Sequence, residues 1–156
     1  MKESCLIDSS FLIKVVLEKK GGLLTSLYRN YYLFIPINVL EESFYIILHE
    51  ISSEYINSHK FSKIKSSWSK REPRLIDEVK KRISIINELI EKEMIFTLPL
   101  DLATFELSKN IAYKYGLLPN DALIAAVCKR YGIKYIATFD DDFKKVEFLK
   151  IVKLED

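Results

Sequence analysis

The 156-residue sequence contains no glutamine, and only two cysteines, two histidines, four glycines and one tryptophan. Each scarcity excludes something. The few glycines form no G-x-x-x-x-G-K pattern, so no loop is present to cradle nucleotide phosphates in P-loop hydrolysis. His49 and His59 lack Cys or His partners at zinc-site spacing, and neither neighbours a nucleophile that would complete a Ser–His–Asp set. Cys5 and Cys128 lie inside apolar runs and read as small buried hydrophobes in a reducing compartment, not as a disulfide. No apolar stretch reaches the roughly 18 residues of a membrane span. A strand-like run begins almost at residue 1, so no signal peptide is expected and the expected location is cytoplasmic. The missing glutamine, with abundant Lys, Ile and Glu, leans towards a thermophilic source.

What is present is an ordinary globular composition. Apolar residues make up 49% of the chain, which argues against disorder, and the length suits one domain over residues 1–156. The net charge of +2 is too small to name a partner, so its distribution matters more. "ESCLIDSS" reads as a first strand ending in Asp8. "SFLIKVVLEKKGG" reads as a helix closed by Lys19, Lys20 and the glycine pair, with a short helix following over residues 23–32. "LFIPI" is a second strand. "NVLEESFYIILHEIS" is a largely buried helix, with Asn38 as N-cap and Glu41 completing a capping box.

Residues 54–74 are polar and basic. A helix is expected from about Leu75 to Lys92, on the spacing of Ile76, Val79, Ile83, Ile86 and Ile90. "MIFTLPL" is a third strand, followed by helices ending at Gly116 and Gly132. "IKYIATF" is a fourth strand and "FLKIVKL" a fifth. Strands separated by helices indicate an α/β fold with a parallel sheet of four to five strands and helices on both faces.

Ligands of such sheets bind at the carboxyl ends of the strands. Asp8 ends strand one, Asp140 follows strand four, and Glu42 lies in the first turns of the helix after strand two. Asp121 opens the helix preceding strand four, and spacing alone does not fix the edge at which that helix starts. Each acid has a structural alternative. Asp8 suits a helix cap, Asp121 a helix dipole, and Asp140–Asp142 a solvated turn. Glu42 is harder to dismiss, because a carboxylate on a mostly apolar helix needs a partner. Converging, the four would repel one another and form the oxygen-rich cluster that Mg²⁺ or Mn²⁺ requires.

The segments "CLIDSSFLI", "VLEESFYIIL", "NDALIAAVCKRYG" and "IATFDDDF" resemble, in order and spacing, the motifs of the PIN-domain nucleases, and most closely those of the VapC-like toxin branch. The resemblance runs from about residue 4 to residue 148, and "DALIAA" followed by "TFDDDF" is its specific part. It implies a three-layer α/β/α sandwich and a Mg²⁺- or Mn²⁺-dependent ribonuclease that cuts phosphodiester bonds with activated water. The family's acids fall on Asp8, Glu42, Asp121 and Asp140, as metal ligands and catalytic groups. Asp142 matches a more variable acid, and Asp141 has no counterpart. Ser9 and Thr138 match hydroxyl positions that support the acids. Ala122, Ala125 and Ala126 would let their helix pack close to the sheet. The branch also implies RNA as substrate, an antitoxin protein as partner, and a homodimer.

The sequence departs from short toxins of this branch in the longer basic segment at 54–74. Lys63, Lys65, Lys70 and Arg71 would meet RNA phosphates there, with Trp68 stacking on a base. Packing of the segment on the domain, self-association, or a protein partner are the alternatives. Two other functions stand beside the nuclease. One is a non-catalytic RNA- or protein-binding module on the same fold. The other is a metal-dependent phosphohydrolase or receiver-like domain using Asp8, for which "DSSFL" lacks the second aspartate of an aspartyl-phosphate enzyme.

Overall fold

Cys5, Leu6 and Ile7 are all fully buried. Successive side chains of a strand point to opposite faces, so a sheet buried at three consecutive positions is covered on both sides. In the computed structural model, which describes residues 1–154, these residues lie in β1 (Glu3–Ile7) at the centre of a five-stranded parallel sheet. On one side of β1 come β2 (Tyr31–Pro36) and then β3 (Phe96–Leu98); on the other come β4 (Tyr135–Ala137) and then β5 (Lys150–Ile151). Every pairing is parallel.

Parallel neighbours need crossover connections, and helices supply them. Helices α1 (Ser9–Leu17) and α2 (Gly21–Asn30) join β1 to β2. The long α3 (Ile37–Ile56), then α4 (Phe61–Ser69) and α5 (Pro73–Glu91), join β2 to β3. The pair α6 (Leu102–Tyr115) and α7 (Pro119–Tyr131) leads to β4, and a 3₁₀ turn at Asp141–Lys145 leads to β5. α1, α3 and α5 pack on one another, as do α6 and α7, giving a three-layer α/β/α arrangement around one apolar cluster. Cys5 and Cys128 are free and buried in that cluster. Burial pushes the Cys5 thiol up to about 12 and raises Cys128 as well, so neither supplies a thiolate.

Several expected boundaries move, each for a local reason. The glycine pair does not close α1. That helix ends at Leu17, Lys19 takes the left-handed conformation (φ 55°), and Gly21 opens α2, which covers 21–30 and not 23–32. Strand β2 accordingly starts at Tyr31, two residues before "LFIPI". Asn38 is not an N-cap and the capping box with Glu41 does not form. Pro36, with ψ 156°, holds the cap position without a side-chain bond, and Asn38 lies inside the helix with its side chain turned towards α7. Helix α3 is also less buried than its composition suggests. Val39, Ser43 and Ile47 face inward, whereas Ile37, Phe44, Tyr45 and Tyr55 are exposed. The polar stretch at 54–74 comprises the end of α3, all of α4 and the start of α5. Gly116 and Gly132 do close α6 and α7, with φ of 68° and 67° that a β-carbon would resist.

Along α7, Ala122, Ala125 and Ala126 are buried in the apolar cluster beside Ile124 and Val127. A larger side chain there must displace helix or strand. Ala125→Leu should therefore lower stability by about 1–3 kcal/mol in urea unfolding, with an unchanged dependence on denaturant. A wild-type midpoint would show that α7 does not pack this closely.

Candidate metal centre

The register of the two central strands sets the first part of the site. Ile7 of β1 pairs with Ala137 of β4, so the next residues along each strand, Asp8 and Thr138, stand side by side where the ladder ends. The Asp8 N–H still donates to the Ala137 carbonyl at 3.1 Å. Asp8 then caps α1, its Oδ1 accepting from the Ser9 N–H at 2.8 Å. Its Oδ2 accepts from Thr138 Oγ1 at 2.7 Å and from Ser10 Oγ at 3.0 Å. These two hydroxyls are 3.1 Å apart, and each accepts a main-chain N–H from the loop after β4: Phe139 to Ser10 at 2.9 Å, Asp140 to Thr138 at 3.0 Å. Asp8 is only 3% exposed, and these three donors offset the desolvation of its charge. A carboxylate has about four acceptor positions, so three donors leave room for one more partner.

The loop after β4 brings the second part. Asp140 caps the 3₁₀ turn, its Oδ1 accepting from the Asp142 N–H at 2.9 Å. The turn separates the two acids that follow. Asp141 is directed to solvent, its side chain 84% exposed and 2.9 Å from Lys144. Asp142 faces the other acids while also pairing with Lys145 at 3.5 Å, so a cation does stand at this rim of the cluster. Helix α7 starts at the same edge and puts Asp121, half-buried, in its first turn. Asp121, Asp140 and Asp142 each present an oxygen within 4.8 Å of the others. Among the described residues no side-chain donor or cation meets the Asp121 carboxylate. Burial first, then the charges of Asp140, Asp8, Glu42 and Asp142, push its pKa from 3.8 to about 6.

Glu42 is held differently. One α-turn into α3, its Oε2 accepts from Asn120 Nδ2 at 2.8 Å, and Asn120 Oδ1 accepts in turn from Asn38 Nδ2 at 2.9 Å. The structure thus brings Asp8, Glu42, Asp121, Asp140 and Asp142 to one edge of the sheet, Asp8 and Glu42 standing outside the tight trio but close enough to act on Asp121. Of the two hydroxyls expected beside the acids, Thr138 contacts Asp8. At position 9 the contact is made by the main-chain N–H, and the second hydroxyl is that of Ser10. Sequence reasoning misses Ser10, Asn120 and Asn38. "DSS" and "ND" in the motifs carry the signal for the first two, and Asn38 has the local signals of a cap that the chain does not use.

The donor set is all oxygen, with more negative charge than the protein neutralises. That chemistry suits a hard divalent cation and excludes soft ones. The basic residues lie elsewhere. Lys63 and Lys65 are exposed on α4, and Lys70 and Arg71 follow it directly. Lys63 and Lys70 line a groove with Tyr55, Ser62 and Ser66, where α4 meets the far half of α3. Trp68 is partly buried, so the outward aromatic of α4 is Phe61, 61% exposed. No helix among the described residues is long and apolar enough to cross a membrane.

Comparison with known proteins agrees with this architecture. Residues 5–149 match the PIN domain family. Ribonuclease VapC6 of Methanocaldococcus jannaschii is 32% identical over 154 residues, covering 94% of this chain and 95% of the relative. Ribonuclease VapC2 of the same organism is 40% identical over 85 residues, 54% of each chain. The crystal structure of Mycobacterium tuberculosis VapC20, a sarcin-ricin loop cleaving toxin, superposes with a TM-score of 0.61 at 14% identity, covering 94% of this chain and 97% of that one. VapBC2 from Rickettsia felis, bound to a DNA fragment from its promoter, gives 0.62 at 14% identity, covering 97% and 98%. At such identities the two structures speak to the fold.

The strained carboxylate makes a prediction about stability. A folded pKa raised above the unfolded value means that the folded chain binds more protons between about 3.8 and 6, so stability falls as pH rises through that window. Asp121→Asn removes this loss. In chelator at pH 7 the variant should be the more stable by about 1–2 kcal/mol, the shift's full value being reduced because the group is half exposed. Below pH 4 the difference should vanish. In several millimolar Mn²⁺ the order should reverse, since the wild type gains more from binding. Melting curves of both proteins in both buffers check this, and parallel behaviour would remove the shared site.

Proposed function

The chain belongs to the PIN domain family, and on that premise we propose that it is an endoribonuclease that hydrolyses RNA phosphodiester bonds with a divalent cation, Mg²⁺ or Mn²⁺, held by Asp8, Glu42, Asp121 and Asp140 with Asp142 at the rim. One observation carries the reading. Asp121 is half-buried among four other carboxylates, and among the described residues no cation meets it. Within the fold only the start of α7 favours that charge, and modestly, whereas a divalent cation would meet it directly. When bound, the cation supplies Lewis acidity to the phosphoryl oxygen and to the attacking water, and neutralises charge on the leaving oxygen.

The chain's own groups have distinct parts. Thr138 and Ser10 hold the Asp8 carboxylate in place through its Oδ2 and leave one acceptor position for a further partner. Asp121 can hold a proton at one carboxylate oxygen near pH 6 and must release it for a cation to bind, so cation affinity should rise with pH through that range. The relatives named ribonucleases, and the toxin among the structural neighbours, support placing this protein as the toxin of a toxin–antitoxin pair acting in the cytoplasm. Its protein partners would be an antitoxin and a second copy of itself. Exposed Leu102, Phe105, Tyr113 and Leu118 supply apolar surface for them.

Lys63, Lys65, Lys70 and Arg71 would extend the RNA interface away from the acids, with Phe61 and, less freely, Trp68 available for stacking. Tyr55 in that groove lies thirteen positions along α3 from Glu42, about 20 Å at the helical rise.

Two experiments test this reading. Asp8→Asn, Glu42→Gln, Asp121→Asn and Asp140→Asn should each reduce RNA cleavage in Mn²⁺ by two or more orders of magnitude, and Asp141→Asn should be near wild type. Cleavage unaffected by the four, or reduced most in Asp141→Asn, would refute the assignment. Replacing Lys63, Lys65, Lys70 and Arg71 together by alanine should flatten the salt dependence of RNA binding, by about 0.7 log unit of slope for each single-strand phosphate no longer neutralised. Cation affinity should not change, and an unaltered slope would give the basic helix to packing or to a protein partner.

A further inference from the structure

Two helix starts meet over the acids, and an amide joins them. Asn120 Nδ2 donates to Glu42 Oε2 at 2.8 Å, and Asn38 Nδ2 donates to Asn120 Oδ1 at 2.9 Å. Asn38 and Glu42 lie one turn apart at the start of α3, and Asn120 is the second residue of α7, next to Asp121. We propose that Asn120 is a positioning residue for the cation site: its amide, oriented by Asn38, holds Glu42 against Asp121 without adding a positive charge. The inference rests on the divalent-cation reading of the five acids.

The direction of the two bonds supports it. An ionised carboxylate only accepts, so Asn120 must present its NH₂ to Glu42 and its carbonyl to Asn38. A flipped Asn120 would set oxygen against oxygen at Glu42 and NH₂ against NH₂ at Asn38. The charge on Glu42 therefore dictates the orientation of both amides. Asn38 complies at a cost, since its own buried Oδ1 meets no donor among the described residues. A buried amide left half-satisfied is an expensive way to stabilise a helix start. It makes sense if what matters is the direction in which its NH₂ points.

Charge decides why an amide stands here. The alternative donors at this length are lysine and arginine, and among the described residues neither pairs with Glu42. Either would hold the carboxylate as firmly, but would also cancel one of the charges that draw a cation. The neutral amide restrains the side chain and leaves the field intact. Because Asn120 adjoins Asp121 in the chain, the same bond sets the spacing between the acid of α3 and the acid of α7.

The test is a cycle of Mn²⁺ affinities measured by calorimetry on the full chain. Glu42→Gln should weaken binding tenfold or more. Asn120→Ala should weaken it by about tenfold, within the range found for residues that orient metal ligands. Asn38→Ala should weaken it by a smaller factor in the same direction. In the Glu42→Gln background Asn120→Ala should change affinity less than twofold, because the residue acts through Glu42; a merely structural role would give the same loss in both backgrounds. Melting in chelator accompanies each variant, and Asn38→Ala, which leaves Asn120 in place, carries the test should Asn120→Ala fold poorly. Wild-type affinity in both asparagine variants, or equal losses with and without Glu42, would overturn the positioning role alone. An unchanged affinity in Glu42→Gln would overturn it together with the assignment of Glu42 to the cation.

Discussion

The hydrogen bond from Thr138 to Asp8, across the ends of two parallel strands, is the interaction around which the rest of the site is arranged. It follows from register. Ile7 and Ala137 pair in the ladder, and the next residue on each strand stands beside its neighbour where the ladder ends. From there the chain turns into α1 on one side and into the Asp140 loop on the other. The crossovers from the two central strands diverge at this point, which opens a crevice at the carboxyl edge. Ser10 and Thr138 close the arrangement by accepting main-chain N–H groups from that loop while donating to Asp8. One carboxylate thereby organises two strand ends and a loop.

The price of this arrangement is electrostatic, and it falls unevenly. Asp8 has three donors, Asp140 a main-chain N–H, Glu42 an amide and Asp142 a lysine at its margin. Among the described residues Asp121 has none, and all four neighbours act on it. Of the five acids at this edge, Asp121 alone lacks a donor among the described residues. The unsatisfied acid sits in the first turn of α7, where the helix dipole gives it modest relief.

Much of this is legible in the sequence, and the reasons differ by element. The central strand declares itself because burial on both faces requires an unbroken apolar run, "CLI", and the acid after it marks the strand's end. Gly116 and Gly132 mark helix ends because only those positions need a left-handed conformation at low cost. Lys19, Asn57, Arg71 and Glu93 adopt the same conformation without glycine, so the end of α1 carries no such mark. The edge at which α7 starts is a tertiary fact. It depends on how α6 and α7 fold back on each other, with Arg130 at the end of one bonded to Asp101 and Thr104 at the start of the other. Asn38 shows a different limit. Its local signals favour a cap, and a partner 82 residues away takes the side chain instead.

Helix α3 carries an acid of the cleft near one end and receives the basic helix α4 along its other half. It is thus a measuring rod between a reactive edge and a cationic face. A rod of this kind is quantised. One inserted residue between Glu42 and Tyr55 would move the cationic face about 1.5 Å outward and swing it about 100° around the axis, whereas three or four together would restore its heading at a new distance. Relatives built on the same frame could therefore change the length and shape of the polymer they accept in whole turns of one helix, with every carboxylate left where it is.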